Sequence, residues 1–87
     1  MLKNNSIREK IYTIIKDKVD KHENINLEGS FEDIGIGSLC FVKIMIEIEI
    51  QLEVEIDDKY YTGEYKNIRE FIDKITDHLS GEASYGN

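Results

Sequence analysis

Residues 46–56 read Ile-Glu-Ile-Glu-Ile-Gln-Leu-Glu-Val-Glu-Ile, a strict alternation of apolar and polar side chains in the middle of an 87-residue chain. Period two belongs to a half-buried strand and period 3.6 to a helix, so this run limits the fold more than any other feature. It lies within residues 38–62, a longer stretch without Gly or Pro. A strand over the whole apolar run would far exceed the usual length, would lack an evident partner, and would leave an aggregation-prone edge. The helical reading therefore prevails. At roughly 100° per residue, the segment from Ser38 sorts its apolar residues into two stripes. Phe41, Ile44, Met45, Ile48 and Leu52 form one, and Leu39, Val42, Ile46 and Ile50 the other, flanked by Lys43, Glu49 and Glu53. A small bundle buries one stripe; exposed apolar residues rimmed by charge mark a protein docking surface. The competing reading is a central helix with both stripes in the core. Val54 and Ile56 then leave the helix and pack as loop anchors.

The approach to this helix is Ile34-Gly35-Ile36-Gly37-Ser38-Leu39. Two glycines loosen the backbone just before a serine, which is how a loop hands over to a helix, with Ser38 as N-cap or first-turn residue. A hydroxyl there is exposed beside unpaired backbone N–H groups and the positive end of the helix dipole, a setting that suits a phosphate ester. A cap with no further role is the plain alternative.

Two more helices flank this one. Residues 1–5 read as a frayed start, after which Ser6-Ile7-Arg8-Glu9 has capping-box spacing, and Ile7, Ile11, Ile14, Ile15 and Val19 recur at helical intervals. A helix is expected over residues 6–21. Residues 22–37 are mixed and polar, a long loop tacked down by Leu27, Phe31, Ile34 and Ile36. His22 beside Glu23 has no metal-ligand spacing and reads as solvated helix-end chemistry. Around Tyr60, Tyr61 and Tyr65 a short helical turn near residues 58–61 is expected, with rings on the core edge and hydroxyls in water. Asn67-Ile68-Arg69-Glu70 repeats the capping-box spacing. It opens a helix whose stripe is Ile68, Phe71, Ile72, Ile75 and Leu79, stopped by Gly81. Residues 1–79 form one domain, and residues 80–87 are expected to be a disordered tail.

Composition narrows the function. A single domain of this size has one modest core and little room for a self-contained enzyme site. The formal net charge of −7 argues against nucleic acid and for docking onto basic surfaces, weakened by salt. One cysteine, Cys40, excludes an internal disulfide. With no apolar signal core and no membrane-spanning run, a cytoplasmic location without membrane insertion is expected. No catalytic residue is expected. Asp57 and Asp58 are adjacent and point apart, Cys40 has no nearby histidine as base, and neither a phosphate-cradling glycine loop nor a metal cluster occurs.

The segment Phe31-Glu32-Asp33-Ile34-Gly35-Ile36-Gly37-Ser38-Leu39, followed by Val42, Ile44 and Ile48, resembles the signature of phosphopantetheine-binding carrier proteins. These are the acyl and peptidyl carriers of fatty-acid, polyketide and nonribosomal peptide synthesis. The resemblance extends over residues 7–79. It implies an all-α, four-helix bundle: three main helices, a short third helix, and a long loop between the first two. It also implies 4′-phosphopantetheine on Ser38, donated from coenzyme A, with Gly37 and Leu39 as its immediate neighbours. The arm's thiol would hold acyl or aminoacyl groups as thioesters. The partners implied are a phosphopantetheinyl transferase, an acyl- or aminoacyl-loading enzyme, and a downstream synthase or transferase. They would meet Leu39, Val42, Ile46 and Ile50, with Lys43 and Glu49 tuning partner choice by charge. The family often has Asp where this chain has Gly37, which bears on the choice of modifying enzyme. Fatty-acid carriers tend to have acids early in the second helix; Cys40, Lys43 and Ile50 lean instead toward a specialised, freestanding carrier, and a monomer is expected. The alternative is an unmodified helical interaction module whose second stripe binds a partner.

Overall fold

Helix α1 (Asn4–Asp17), helix α2 (Ser38–Leu52) and helix α3 (Ile68–Ser80) carry the core, joined by two 3₁₀ turns, η1 (Glu32–Ile34) and η2 (Asp58–Thr62). This computed structural model describes residues 4–19, 25–62 and 64–81. Among the described residues there is no strand. The helix with a short third element between α2 and α3 is thus the all-α bundle expected from the sequence, its short third helix taking 3₁₀ form.

The core is built mainly of isoleucine. Ile7, Ile11, Ile14 and Ile15 of α1 meet Ile44, Met45 and Ile48 of α2 and Ile68, Phe71 and Ile75 of α3, all fully buried or nearly so. Helix α1 packs against both others, and an Arg8–Asp73 ion pair links it to α3 at the surface. Lys18 just past α1 reaches Glu47 of α2 at 3.2 Å.

Helix α1 starts earlier than its capping-box spacing suggests. It begins at Asn4, so Ser6 lies inside the first turn rather than capping it. It ends at Asp17, where the amides of Lys18 and Val19 bond back to the Ile15 and Lys16 carbonyls at 3.0 and 3.1 Å. Such three-residue bonds tighten a last turn and close the helix. The expected continuation through residue 21 therefore stops short, with Lys18 and Val19 already in a turn, and Ser80, expected to open a disordered tail, is instead the last residue of α3 with Gly81 as its cap; residues 20–21, His22 and residues 82–87 lie outside the described residues.

Helix α2 resolves the conflict over period. It is helical as far as Leu52, and Glu53 then turns left-handed at φ 54°. Its amide and that of Val54 close onto the Ile50 and Glu49 carbonyls. Beyond that point Ile56 is buried and Val54 half-buried, the expected anchors after the helix. Period two across residues 46–56 therefore arises from two different structures in sequence.

The described part of the loop between α1 and α2 docks on α3. Carbonyls of Gly29 and Leu27 accept the first amides of α3, those of Ile68 and Arg69, at 3.0 and 2.9 Å. A helix start leaves these donors without intrahelical partners, so the loop supplies acceptors that water would otherwise provide. Asn67 completes the start by accepting the Glu70 amide on its side chain at 2.8 Å, as its position in the motif implies. At the other end Gly81 takes the left-handed conformation, φ 83°, that stops α3.

Candidate functional site at the start of helix α2

Ser38 is the first residue of α2, and Gly37 holds the N-cap position in extended conformation with no side chain to cap the helix. The first amide to find an intrahelical partner is that of Phe41, which bonds the Gly37 carbonyl at 2.9 Å. The amides of Ser38, Leu39 and Cys40 precede it and have none. The first turn carries no acidic residue. No residue of the helix's own first turn offsets the positive end of its dipole beside the exposed serine hydroxyl, although Glu32 of η1 lines the same cleft. An anionic ester on that oxygen is favoured by both the dipole and the free N–H groups.

The loop leading to Ser38 is fixed from behind. Turn η1 closes at Gly35, whose φ of 81° places it where side-chain-bearing residues are strained. Ile36 next to it is buried, and its amide bonds the Phe31 carbonyl at 2.9 Å. Gly37 has open space where a Cβ would stand. The serine is therefore held by buried neighbours while its own surroundings stay open.

Below the serine sits a cluster of four rings. Phe31 of the loop meets Phe41 of α2 at 5.3 Å and Phe71 of α3 at 5.1 Å, edge to face. Phe41 and Phe71 stand 5.4 Å apart, and Tyr65 closes on Phe71 at 5.2 Å. Edge-to-face pairs of this kind add about 0.5–1.5 kcal/mol each beyond the area they bury. They join the loop, α2, α3 and the segment after η2 at one point. A cleft of about 430 Å³ opens above them, lined by Phe31, Ile36, Ser38, Phe41, Val42 and Tyr61 among others.

Tyr65 departs from the expectation of wet tyrosine hydroxyls. The Tyr65 hydroxyl donates to the Tyr60 carbonyl at 2.8 Å, and burial pushes its phenol up to about 12. Tyr61 is also raised, first by burial and then by the Glu49 carboxylate beside it. Glu49, expected to tune docking, is half-buried, and its Oε2 accepts the Ile56 amide at 2.8 Å. It braces the chain where it leaves α2.

The two stripes of α2 separate cleanly. Phe41, Ile44, Met45, Ile48 and Leu52 are buried, whereas Leu39 is 72% exposed, Ile50 69%, Ile46 45% and Val42 36%. Lys43 is exposed beside the second stripe, and Cys40 is half-buried against the core. Gly37, Ser38 and Leu39 thus lie together at the head of the exposed stripe.

The remaining polar groups gather elsewhere. His78 stacks on the Tyr60 ring at 4.6 Å and accepts the Asp57 amide on Nε2. Among the described residues no three His, Cys, Asp or Glu side chains group to hold a metal ion, and no helix is long and apolar enough to cross a membrane. A separate cleft of about 420 Å³, lined by Arg8, Tyr12, Leu27, Arg69, Ile72 and Asp73 among others, lies between α1 and α3. Its two guanidiniums are paired with Asp73 and Glu28, and it includes no residue of α2.

The ring cluster and the Glu49 brace were not legible in the sequence. Phe31, Phe41, Tyr65 and Phe71 lie too far apart along the chain for local periodicity to link them. The Glu49–Ile56 bond spans the helix end.

The family described as "Phosphopantetheine attachment site" matches residues 9–75 of this chain, a range that includes all of α2. An acyl carrier protein of Rickettsia bellii strain RML369-C is 34% identical over 82 residues, 92% of this chain and 94% of the relative. That of strain OSU 85-389 is 35% identical over 82 residues, 92% of this chain and the whole of the relative. No solved structure matches the chain significantly. The exposed hydroxyl, the unpaired amides, the acid-free first turn and the open space at Gly37 fit the group that such proteins carry. The chain belongs to the acyl carrier protein family of phosphopantetheine-binding proteins, whose cofactor is a covalent 4′-phosphopantetheine.

Proposed function

We propose that Ser38 Oγ is the attachment point of the arm, and that the protein is a freestanding, non-catalytic, cytoplasmic carrier. A separate phosphopantetheinyl transferase places the arm through a phosphodiester, using coenzyme A. The arm supplies a terminal thiol that holds an acyl or aminoacyl group as a thioester. The chain's residues do the rest by presentation. The start of α2 stabilises the phosphodiester charge through its free amides and dipole. Buried Ile36 and the rings of Phe31 and Phe41 hold the serine outward, and the exposed stripe Leu39, Val42, Ile46 and Ile50 meets loading and downstream enzymes. Lys43 selects among them by charge. The carrier would serve a polyketide, nonribosomal peptide or fatty-acid-like pathway.

The observation that carries this reading is the exposed serine at the first position of α2, within the segment matched by the family. Incubation with a broad-range transferase and coenzyme A tests it. Intact mass should rise by one phosphopantetheine, and Ser38→Ala should abolish the gain. An unchanged mass for the unaltered chain counts against it.

A second reading draws on the exposure of Leu39 and Ile50. On that reading the stripe binds a partner without any modification. Retention of partner binding and cellular activity by Ser38→Ala would favour it.

A further inference from the structure

The exposed face of α2 does not share the charge of the molecule. The chain has eighteen acidic residues against eleven Lys and Arg, yet residues 38–46 contain no carboxylate and one cation, Lys43. That is two and a half turns of helix, beginning at Ser38. The next carboxylates along α2 are committed elsewhere. Glu47, one turn beyond Lys43, has Oε1 on Lys18 at 3.2 Å and Oε2 on the Gln51 amide at 2.8 Å. The Gln51 bond first, and Lys18 second, hold its carboxyl below the usual range. Glu49 is spent on the Ile56 amide. Among the described residues no carboxylate pairs with Lys43. Glu53, exposed, stands past Ile50 at the far end.

The half of the α2 face nearest Ser38 is therefore apolar, with a single free ammonium and the positive end of the helix dipole; the exposed Glu32 of η1 lines the neighbouring cleft with Ser38 and Val42 but is not paired with Lys43. A partner with a basic patch would meet Lys43 and that dipole at the very place where it must approach the serine, and like charges brought together on docking are costly. The net charge of −7 gives only a weak long-range attraction to basic proteins, screened within about 8 Å at physiological salt.

We propose that the enzyme that modifies Ser38 docks on α2 with an apolar groove for Leu39, Ile46 and Ile50, rimmed by a carboxylate that faces Lys43. This rests on the carrier reading and names its partner's chemistry. Close docking is thus governed by a local charge opposite in sign to that of the whole chain.

The test uses the full-length chain, coenzyme A and the phosphopantetheinyl transferase of the organism from which the chain comes, with arm attachment followed by mass. Lys43→Glu should raise KM about tenfold with kcat nearly unchanged, as expected for a reversed charge at a docking rim. That penalty should shrink as salt is raised, because the new repulsion is screened. Lys43→Gln should fall between the two, and Ile46→Ala should raise KM with little response to salt. A fall in KM for Lys43→Glu, erased by salt, would show a basic partner and overturn the inference while leaving the carrier reading in place. So would a KM that does not move. Absence of attachment to the unaltered chain would remove the carrier reading and the inference together. Sedimentation of the unmodified chain checks the remaining occupant: a dimer dispersed by Ile50→Asp would put a second copy on this face and overturn the inference.

Discussion

The Tyr65 hydroxyl donates to the Tyr60 carbonyl at 2.8 Å, tying η2 to the ring cluster beneath Ser38. Removing the oxygen in Tyr65→Phe leaves the edge-to-face contact with Phe71 and leaves the carbonyl without this donor. The expected cost is about 1 kcal/mol, measured by urea unfolding near neutral pH. The same bond predicts a pH window. Burial raises the phenol from 10 to about 12, so between those values the folded protein holds a proton that the unfolded chain releases. This contribution is complete below pH 10 and fades as pH rises toward 12. The stability gap between the unaltered protein and Tyr65→Phe should narrow across that range and stay constant below it.

The two stripes of α2 should respond oppositely to truncation. Ile44 is fully buried, so Ile44→Ala should cost about 2–5 kcal/mol through lost burial and a residual cavity. Leu39 is 72% exposed, and Leu39→Ala should change stability by less than about 0.5 kcal/mol. Thermal melts of the two variants, read beside the rate of arm attachment, separate folding from docking. Leu39→Ala should slow attachment while melting normally.

The two glycines before Ser38 should also part company. Gly35 sits at φ 81°, so Gly35→Ala should cost about 1 kcal/mol. Gly37 is extended, at φ −87° and ψ −174°, with nothing within 4 Å of an added Cβ. Asp fits there and can cap the helix, so Gly37→Asp should raise stability by a few tenths to about 1 kcal/mol. Melting both variants against the unaltered chain decides the matter.

How much was readable beforehand follows from the range of the forces involved. Local signals such as Asn67 capping α3, Gly81 ending it and Ser38 opening α2 act within one helical turn and were visible as spacing. The partition of α2 into a buried and an exposed stripe needed only periodicity and the bundle's limited number of neighbours. The start of α1 at Asn4 escaped because Ser6-Glu9 satisfies the capping pattern without occupying the cap. Turn η1 escaped because Glu32-Asp33-Ile34 is too short for a period. At the site, the serine and the anchors Phe31, Ile36 and Phe41 were legible one by one, and their meeting was not. Phe31, Phe41, Tyr65 and Phe71 meet only in three dimensions, and Glu49 looked like a surface charge until Ile56 folded back onto it.

The central claim is that Ser38 bears the arm in the living cell, and the direct measurement is the mass of the protein isolated from its source organism, with fragmentation to locate any added group. The account predicts one 4′-phosphopantetheine on the peptide containing Ser38, with or without an acyl or aminoacyl group on its sulfur. An unmodified Ser38 in every molecule recovered would contradict it.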